Sequence, residues 1–313
     1  MQTELMQRES TLIEFPNSAS QSQQPPREKL GPAYVLSAVV ALLATAISVT
    51  GLLFPSAYGG NWGSGTSIGN DLVTLIVAVP TLALAIVYSA RGSVRARLLW
   101  LGALYFFFYN YAFYVFGIPV TKLYVPIIAA FALSGLALVM GCLNLDVEAI
   151  ARKFSPRMPA KPIAIFLFLA AAMVSRLWIS QWITFLRKGR IPEVNGSASA
   201  YQVIAAVDLS FMVPVFFLTA YLLWRRRPWG YVLGVMTNVQ GATYNAVMAT
   251  VCVFSWKLTG SQLFSDWFIS CIVGVSLCSV CLSLLLLSVK KTAQLDEKRV
   301  PVANNEGGFS SKN

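Results

Sequence analysis

NDLVTLIVAVPTLALAIVYSARGSVRAR, residues 70–97, is the stretch that decides the fold. From Leu72 to Ala90 it carries no charge, and Arg91, Arg95 and Arg97 follow at once. A helix rises about 1.5 Å per residue and a bilayer core is about 30 Å thick, so roughly 20 apolar residues span it. The stretch therefore reads as a membrane helix ending in an arginine-rich turn. Working outward, the same reading applies to residues 33–55, 98–118, 124–144, 162–186, 207–224, 231–254 and 267–289. The chain of 313 residues is 56% hydrophobic and only 12% charged, which excludes one soluble domain. The expectation is an all-α membrane protein with eight transmembrane helices.

Basic residues set the expected orientation. Of 24 Lys and Arg, 18 fall in the tails or on alternate connections, including Arg91–Arg97, Arg152–Lys161 and Arg225–Arg227. The opposite connections hold only Lys122, Arg187, Lys188, Arg190 and Lys257, and Arg176 lies inside a helix. The positive-inside bias then places both termini in the cytoplasm and the protein in the plasma membrane. The net charge of +11 reflects this asymmetry and contact with anionic membrane lipids. With no compact basic domain, nucleic acid is not an expected partner.

Residues 1–30 read as a disordered cytoplasmic tail, 31–150 as helices one to four, 151–292 as helices five to eight, and 293–313 as a second disordered tail. The first tail is rich in Gln, Ser, Glu and Pro and lacks the apolar core and cleavage site of a signal peptide. The first helix is expected to remain as a signal anchor.

Cys142, Cys252, Cys271, Cys278 and Cys281 lie in or at the edge of apolar segments. Cys278 and Cys281 form a C-x-x-C, but a zinc site wants further ligands and the chain has no His. Small packing residues explain them, and no metal or cofactor is expected. The Gly-rich loop Ser56–Asn70 resembles no phosphate loop. Asn195-Gly196-Ser197 is a short sequon, meaningful only in a eukaryotic secretory context.

The opening stretch is echoed later in the chain. NDLVTLIVAVP, RGSVRAR and Tyr109-Asn110 are matched in order by DLSFMVP at 208–214, RRRPWGY at 225–231 and Tyr244-Asn245. Both halves would start on the same side, so the repeat would be parallel, four helices plus four. The unequal spacing of the landmarks leaves coincidence as the alternative.

These segments, with YNYAFYVFG at 109–117 and LDVEAIARKFSPRMP at 145–159, resemble an uncharacterised family of prokaryotic polytopic integral membrane proteins. The resemblance covers about residues 68–250. It implies the topology and brings no activity, substrate or catalytic residue.

Polar groups inside the bilayer carry the functional reading. Arg176 falls about fourteen residues into its helix, roughly 21 Å from the cytoplasmic end and so in the outer half of the bilayer. Either it snorkels outward beside Trp178 and Trp182, or it faces a cavity and is neutralised by Asp71 or Asp208. Both aspartates precede apolar runs, so they also read as helix N-caps. Asn110, in an aromatic helix, needs amide partners that Asn238, Gln240 and Asn245 could supply.

The leading expectation is a small-solute transporter or ligand-binding membrane protein with an outward-facing polar cavity between the halves. Its expected ligand-binding residues are Arg176, Asp71, Asp208, Asn110, Asn245, Tyr109 and Tyr244, a mixture suited to a small anionic or zwitterionic solute. A structural or accessory subunit, held by a membrane protein partner, is the first alternative. A membrane-embedded lipid-modifying enzyme is the second, opposed by the absence of His, of Asp-rich diphosphate motifs and of any nucleophile beside a base.

Overall fold

The computed structural model describes residues 30–59, 65–193, 198–260, 262–263 and 265–290. The expected tails beyond residues 30 and 290 and the Asn195-Gly196-Ser197 sequon lie outside the described residues. Eight long helices account for most of the rest: α1 Gly31–Leu53, α2 Thr66–Ala90, α3 Val94–Gly117, α4 Tyr124–Leu143, α5 Ala160–Lys188, α6 Ala198–Trp224, α7 Pro228–Thr259 and α8 Asp266–Leu287. A short helix, Val147–Arg152, links α4 to α5. Among the described residues there is no strand beyond one isolated bridge between Phe154 and Val289.

Seven of these helices, all but α7, are long and apolar enough to cross a membrane, which is the architecture of a multi-pass membrane protein. α7 is the longest, 32 residues or about 48 Å. Its mean hydropathy is lowered by Thr237, Asn238, Gln240, Thr243 and Asn245, most of them buried. Packing against α2, α3, α6 and α8 surrounds it with protein, so polar side chains there need not meet lipid.

α3 and α7 form the core. Trp100, Leu104, Phe106, Phe107, Tyr109 and Tyr111 of α3 are almost wholly buried, whereas the other helices bury one face and expose the other. Two glycines bring α7 close: a Cβ at Gly69 would lie 2.6 Å from the Val251 amide nitrogen, and one at Gly102 would lie 2.7 Å from Val239 Cβ. Only a hydrogen side chain permits these approaches.

The helices holding the two aspartates start earlier than expected. The helical stretch of α2 begins at Gly65 and that of α6 at Ala198, so Asp71 and Asp208 lie inside helices and cap neither. The preceding residues, TSIGN and ASAYQVIAAV, simply continue the helix. Each helix loosens into a π-turn, Thr74–Ala78 in α2 and Asp208–Met212 in α6. Pro80 and Pro214 stand two residues beyond these turns. A proline ring clashes with the carbonyl four residues back and offers no N–H, and one extra residue in the turn relieves that conflict.

At the arginine-rich end the chain is tied together by backbone. Ser155 N–H donates to Ser288 O at 2.8 Å and Lys290 N–H to Lys153 O at 2.9 Å. Arg95 Nη2 donates to Val289 O at 2.6 Å, and Arg226 donates to Pro156 O and Met158 O at 3.0 and 3.2 Å. Arg226 takes a left-handed backbone, φ 51°, in the tight turn between α6 and α7.

Candidate functional site

Two buried carboxylates flank the aromatic helix α3. Asp71, 2% exposed, accepts from the Tyr58 hydroxyl through both oxygens, at 2.9 and 3.0 Å. The Ser48 hydroxyl of α1 also reaches it. Tyr58 sits in the turn Pro55–Tyr58 that follows α1. Burial first, then Tyr114 and Asp71, pushes its hydroxyl well above the usual tyrosine value, so it remains a proton donor.

Asp208, 5% exposed, has a different cage. The Tyr109 hydroxyl of α3 donates to Oδ1, and the Trp178 indole of α5 donates to Oδ2 at 2.8 Å. Tyr109 also packs edge-on against Tyr244 of α7, with ring centroids 5.3 Å apart. Nearby, Tyr105 donates at 3.2 Å to the Phe211 carbonyl within the π-turn. A side chain of α3 thus bonds backbone within the loosened turn.

Arg176 is not part of either cage. It is exposed on α5, and the hydrogen-bond donors to both carboxylates are Tyr, Trp and Ser side chains. The expected pairing with an aspartate is therefore corrected, for a geometric reason: residues two apart on a helix point about 200° from each other. Trp178, at 6% exposure, faces inward to Asp208 and turns Arg176 outward. Trp178 also leaves the interfacial belt to which its sequence position assigned it. Trp182, 54% exposed, keeps an outward position.

Asn110 finds its partner on α2 rather than on α7. The two amides pair reciprocally, Asn70 Nδ2 to Asn110 Oδ1 at 2.8 Å and Asn110 Nδ2 to Asn70 Oδ1 at 3.2 Å. Thr74 adds a bond to Asn70 Oδ1 at 3.1 Å. The amides of α7 turn back on their own helix instead: Asn238 donates to Gly234 O and Asn245 to Gly241 O, both at 2.7 Å. Back-bonding to the carbonyl four residues earlier is the cheapest partner for such a side chain. Asn238 Oδ1 and both amide atoms of Gln240 are buried without a hydrogen-bond partner among the described residues. Cys278, buried as a free thiol, packs where a Cβ on Gly241 would come within 2.8 Å of its sulfur.

The structure thus brings Asp208, Tyr109 and Tyr244 together, places Asp71 and Asn110 in separate polar clusters, and leaves Asn245 bonded within α7. A cleft of about 550 Å³ opens elsewhere, beside Ser180, Thr184, Arg190 and Glu193. Sequence reading did not single out Trp178, Tyr58 or Asn70 as site residues. Asn70 had a visible signal, since it directly precedes Asp71 in the repeated motif. Tyr58 and Trp178 had none, because their partners are set by packing between distant elements. Comparison with protein-family models, curated proteins and solved structures gives no match.

Proposed function

We propose that this protein is a small-solute carrier whose eight spans form two parallel four-helix repeats, with both termini on the cytoplasmic side of the plasma membrane. The observation that carries the reading is Asp208: a buried carboxylate held by Tyr109 from one half and Trp178 from the other, with no cation in its cage among the described residues. An ionisable group at such depth is costly and marks a solute or ion path more often than it serves packing. Gln240, buried and unpartnered, shares a face of α7 with Tyr244 one turn on, and Tyr244 touches Tyr109. An amide left without partners costs about 1–3 kcal/mol, which a bound polar solute would recover.

The packing pattern supports the repeat. α1 against α2, α2 against α3 and α3 against α4 are echoed by α5 against α6, α6 against α7 and α7 against α8. A π-turn stands two residues before a proline in both α2 and α6. Tyr109 and Tyr244, the tyrosines of the two Tyr-Asn pairs, touch each other, as matching residues do beside a two-fold axis.

With Arg176 outside, an anion would meet no counter-charge near Asp208. The reading therefore narrows to solutes that carry an amine, zwitterions above all. The test is ligand-induced thermal shift of the purified full chain against amino acids, primary amines and organic acids. Stabilisation by amine-bearing compounds that disappears in Asp208→Asn is expected. Equal responses of the two proteins, or a response to organic acids alone, would overturn the assignment.

A structural or accessory role remains the second reading, favoured by the Asn70–Asn110 amide pair, in which polar residues satisfy one another as interhelical glue. It expects no thermal response to any solute and a membrane protein that copurifies stoichiometrically.

A further inference from the structure

We propose a specific binding groove for an anionic phospholipid between α5 and α6, at the arginine-rich end of the molecule. A groove of about 470 Å³ runs there between the helices. Ala164 and Ala220, both almost fully buried, form its floor, and their small side chains create the space. Phe168 and Phe217, packed edge to face with centroids 5.2 Å apart, close its inner end. Tyr221 and Trp224, 61% and 48% exposed, form the rim.

The rim carries charge. The Lys161 ammonium lies 5.5 Å from the centre of the Trp224 ring, a cation–π contact that holds it at the mouth of the groove. Arg225 follows Trp224 directly and is exposed, as is Arg227. Arg226 differs, since its guanidinium is engaged by the Pro156 and Met158 carbonyls. The site thus joins an apolar slot to the Lys161 ammonium at its mouth, with the exposed Arg225 and Arg227 next in the chain. That combination matches one acyl chain running from a negatively charged headgroup.

A peptide or a second protein chain fits less well. A backbone laid in the slot would need hydrogen-bond partners along its length, and below the Tyr221 and Trp224 rim the described lining is Ala164, Ile165, Phe168, Phe217 and Ala220. An acyl chain makes no such demand. A zwitterionic phospholipid could fill the slot too, but it would leave the cations uncompensated.

The experiment uses the full chain in detergent micelles with added phosphatidylglycerol or phosphatidylcholine, read by native mass spectrometry. Wild type should retain phosphatidylglycerol preferentially, and the preference should fall about fivefold per charge removed in Lys161→Gln and Arg225→Gln. Ala220→Leu, which fills the floor, should weaken retention of both lipids. A second readout does not depend on how Ala220→Leu folds. Phosphatidylglycerol brominated on its acyl chain should quench tryptophan fluorescence of wild type more than of Trp224→Phe, and brominated phosphatidylcholine should show a smaller difference. Equal retention of the two lipids by wild type, or quenching that Trp224→Phe leaves unchanged, would overturn the proposal.

Discussion

Asp71 and Asp208 begin the same local pattern and end in different surroundings. Each is followed directly by Leu, in a helix that loosens into a π-turn before a proline, although the turn starts three residues after Asp71 and at Asp208 itself. Asp71 looks back into its own half, where one Tyr58 hydroxyl is shared between its two oxygens and Ser48 of α1 reaches it. Asp208 looks across to α3 and α5, and each of its oxygens has its own donor. The helix packing is unequal in the same sense: α1 packs extensively against α4, with no comparable contact between α5 and α8. The lesson is that a repeated motif fixes helix geometry, while the partners of its polar residue are set by what lies beside it. The first carboxylate fastens α1 to α2, and the second joins elements from both halves.

The largest effect that sharpens this contrast is expected for Asp208→Ala. It strands both the Tyr109 hydroxyl and the Trp178 indole, and two buried donors without acceptors cost about 2–5 kcal/mol together. Asp71→Ala strands the Tyr58 hydroxyl, whereas the Ser48 hydroxyl can turn back to a carbonyl of its own helix, so it should cost less, about 1–3 kcal/mol. Thermal midpoints of the purified variants decide the matter. An Asp71 loss equal to or larger than the Asp208 loss would break the distinction.

Gly51→Ala comes next and acts on the first cage alone. A Cβ there would collide with Asp71 Oδ2 and fall within 2.6 Å of the Tyr58 hydroxyl. Overpacking at a close helix contact costs about 1–3 kcal/mol. The variant should lose stability while keeping whatever solute response the wild type shows. A lost response with an unchanged midpoint would show that the Asp71 cage, too, belongs to the solute path.

Removing single hydroxyls separates the cages by function. Tyr58→Phe and Tyr109→Phe each take one donor from a buried carboxylate, and both should lower stability by a similar amount, about 1–3 kcal/mol. Only Tyr109→Phe should change the thermal response to amine-bearing solutes. If both variants respond like wild type, Tyr109 is a structural contact and no more.

How much of this was legible in the sequence depends on the kind of information involved. The eight helices were visible because an apolar run and its basic end are local properties. Seven of them meet the demands of a membrane span, while α7 is set apart by the same polar residues that made it interesting. The start of α6 was missed because Asp208 reads as an N-cap, although Val203–Val207 just before it is apolar and nothing there breaks a helix. The partner of Asn110 was placed on the wrong helix, since sequence shows that a buried amide needs a partner but not which neighbour is nearest. The arginines were read as orientation signals alone, yet Arg95 and Arg226 also bind backbone carbonyls at the arginine-rich end.

Arg176 supplies the smallest expected effect and the cleanest check on the Asp208 cage. If the indole of Trp178 holds Asp208, replacing the exposed Arg176 should change stability by no more than about 0.5 kcal/mol, the ordinary range for a surface position. A double-mutant cycle of Arg176→Met with Asp208→Asn should then be additive within about 0.5 kcal/mol. The matching cycle of Trp178→Phe with Asp208→Asn should not be, because those two side chains share a hydrogen bond of 2.8 Å. Stability changes that couple Arg176 to Asp208 would mean that the guanidinium reaches the carboxylate after all. The interior would then hold a counter-charge for anions, and the preference for amine-bearing solutes would lose its basis.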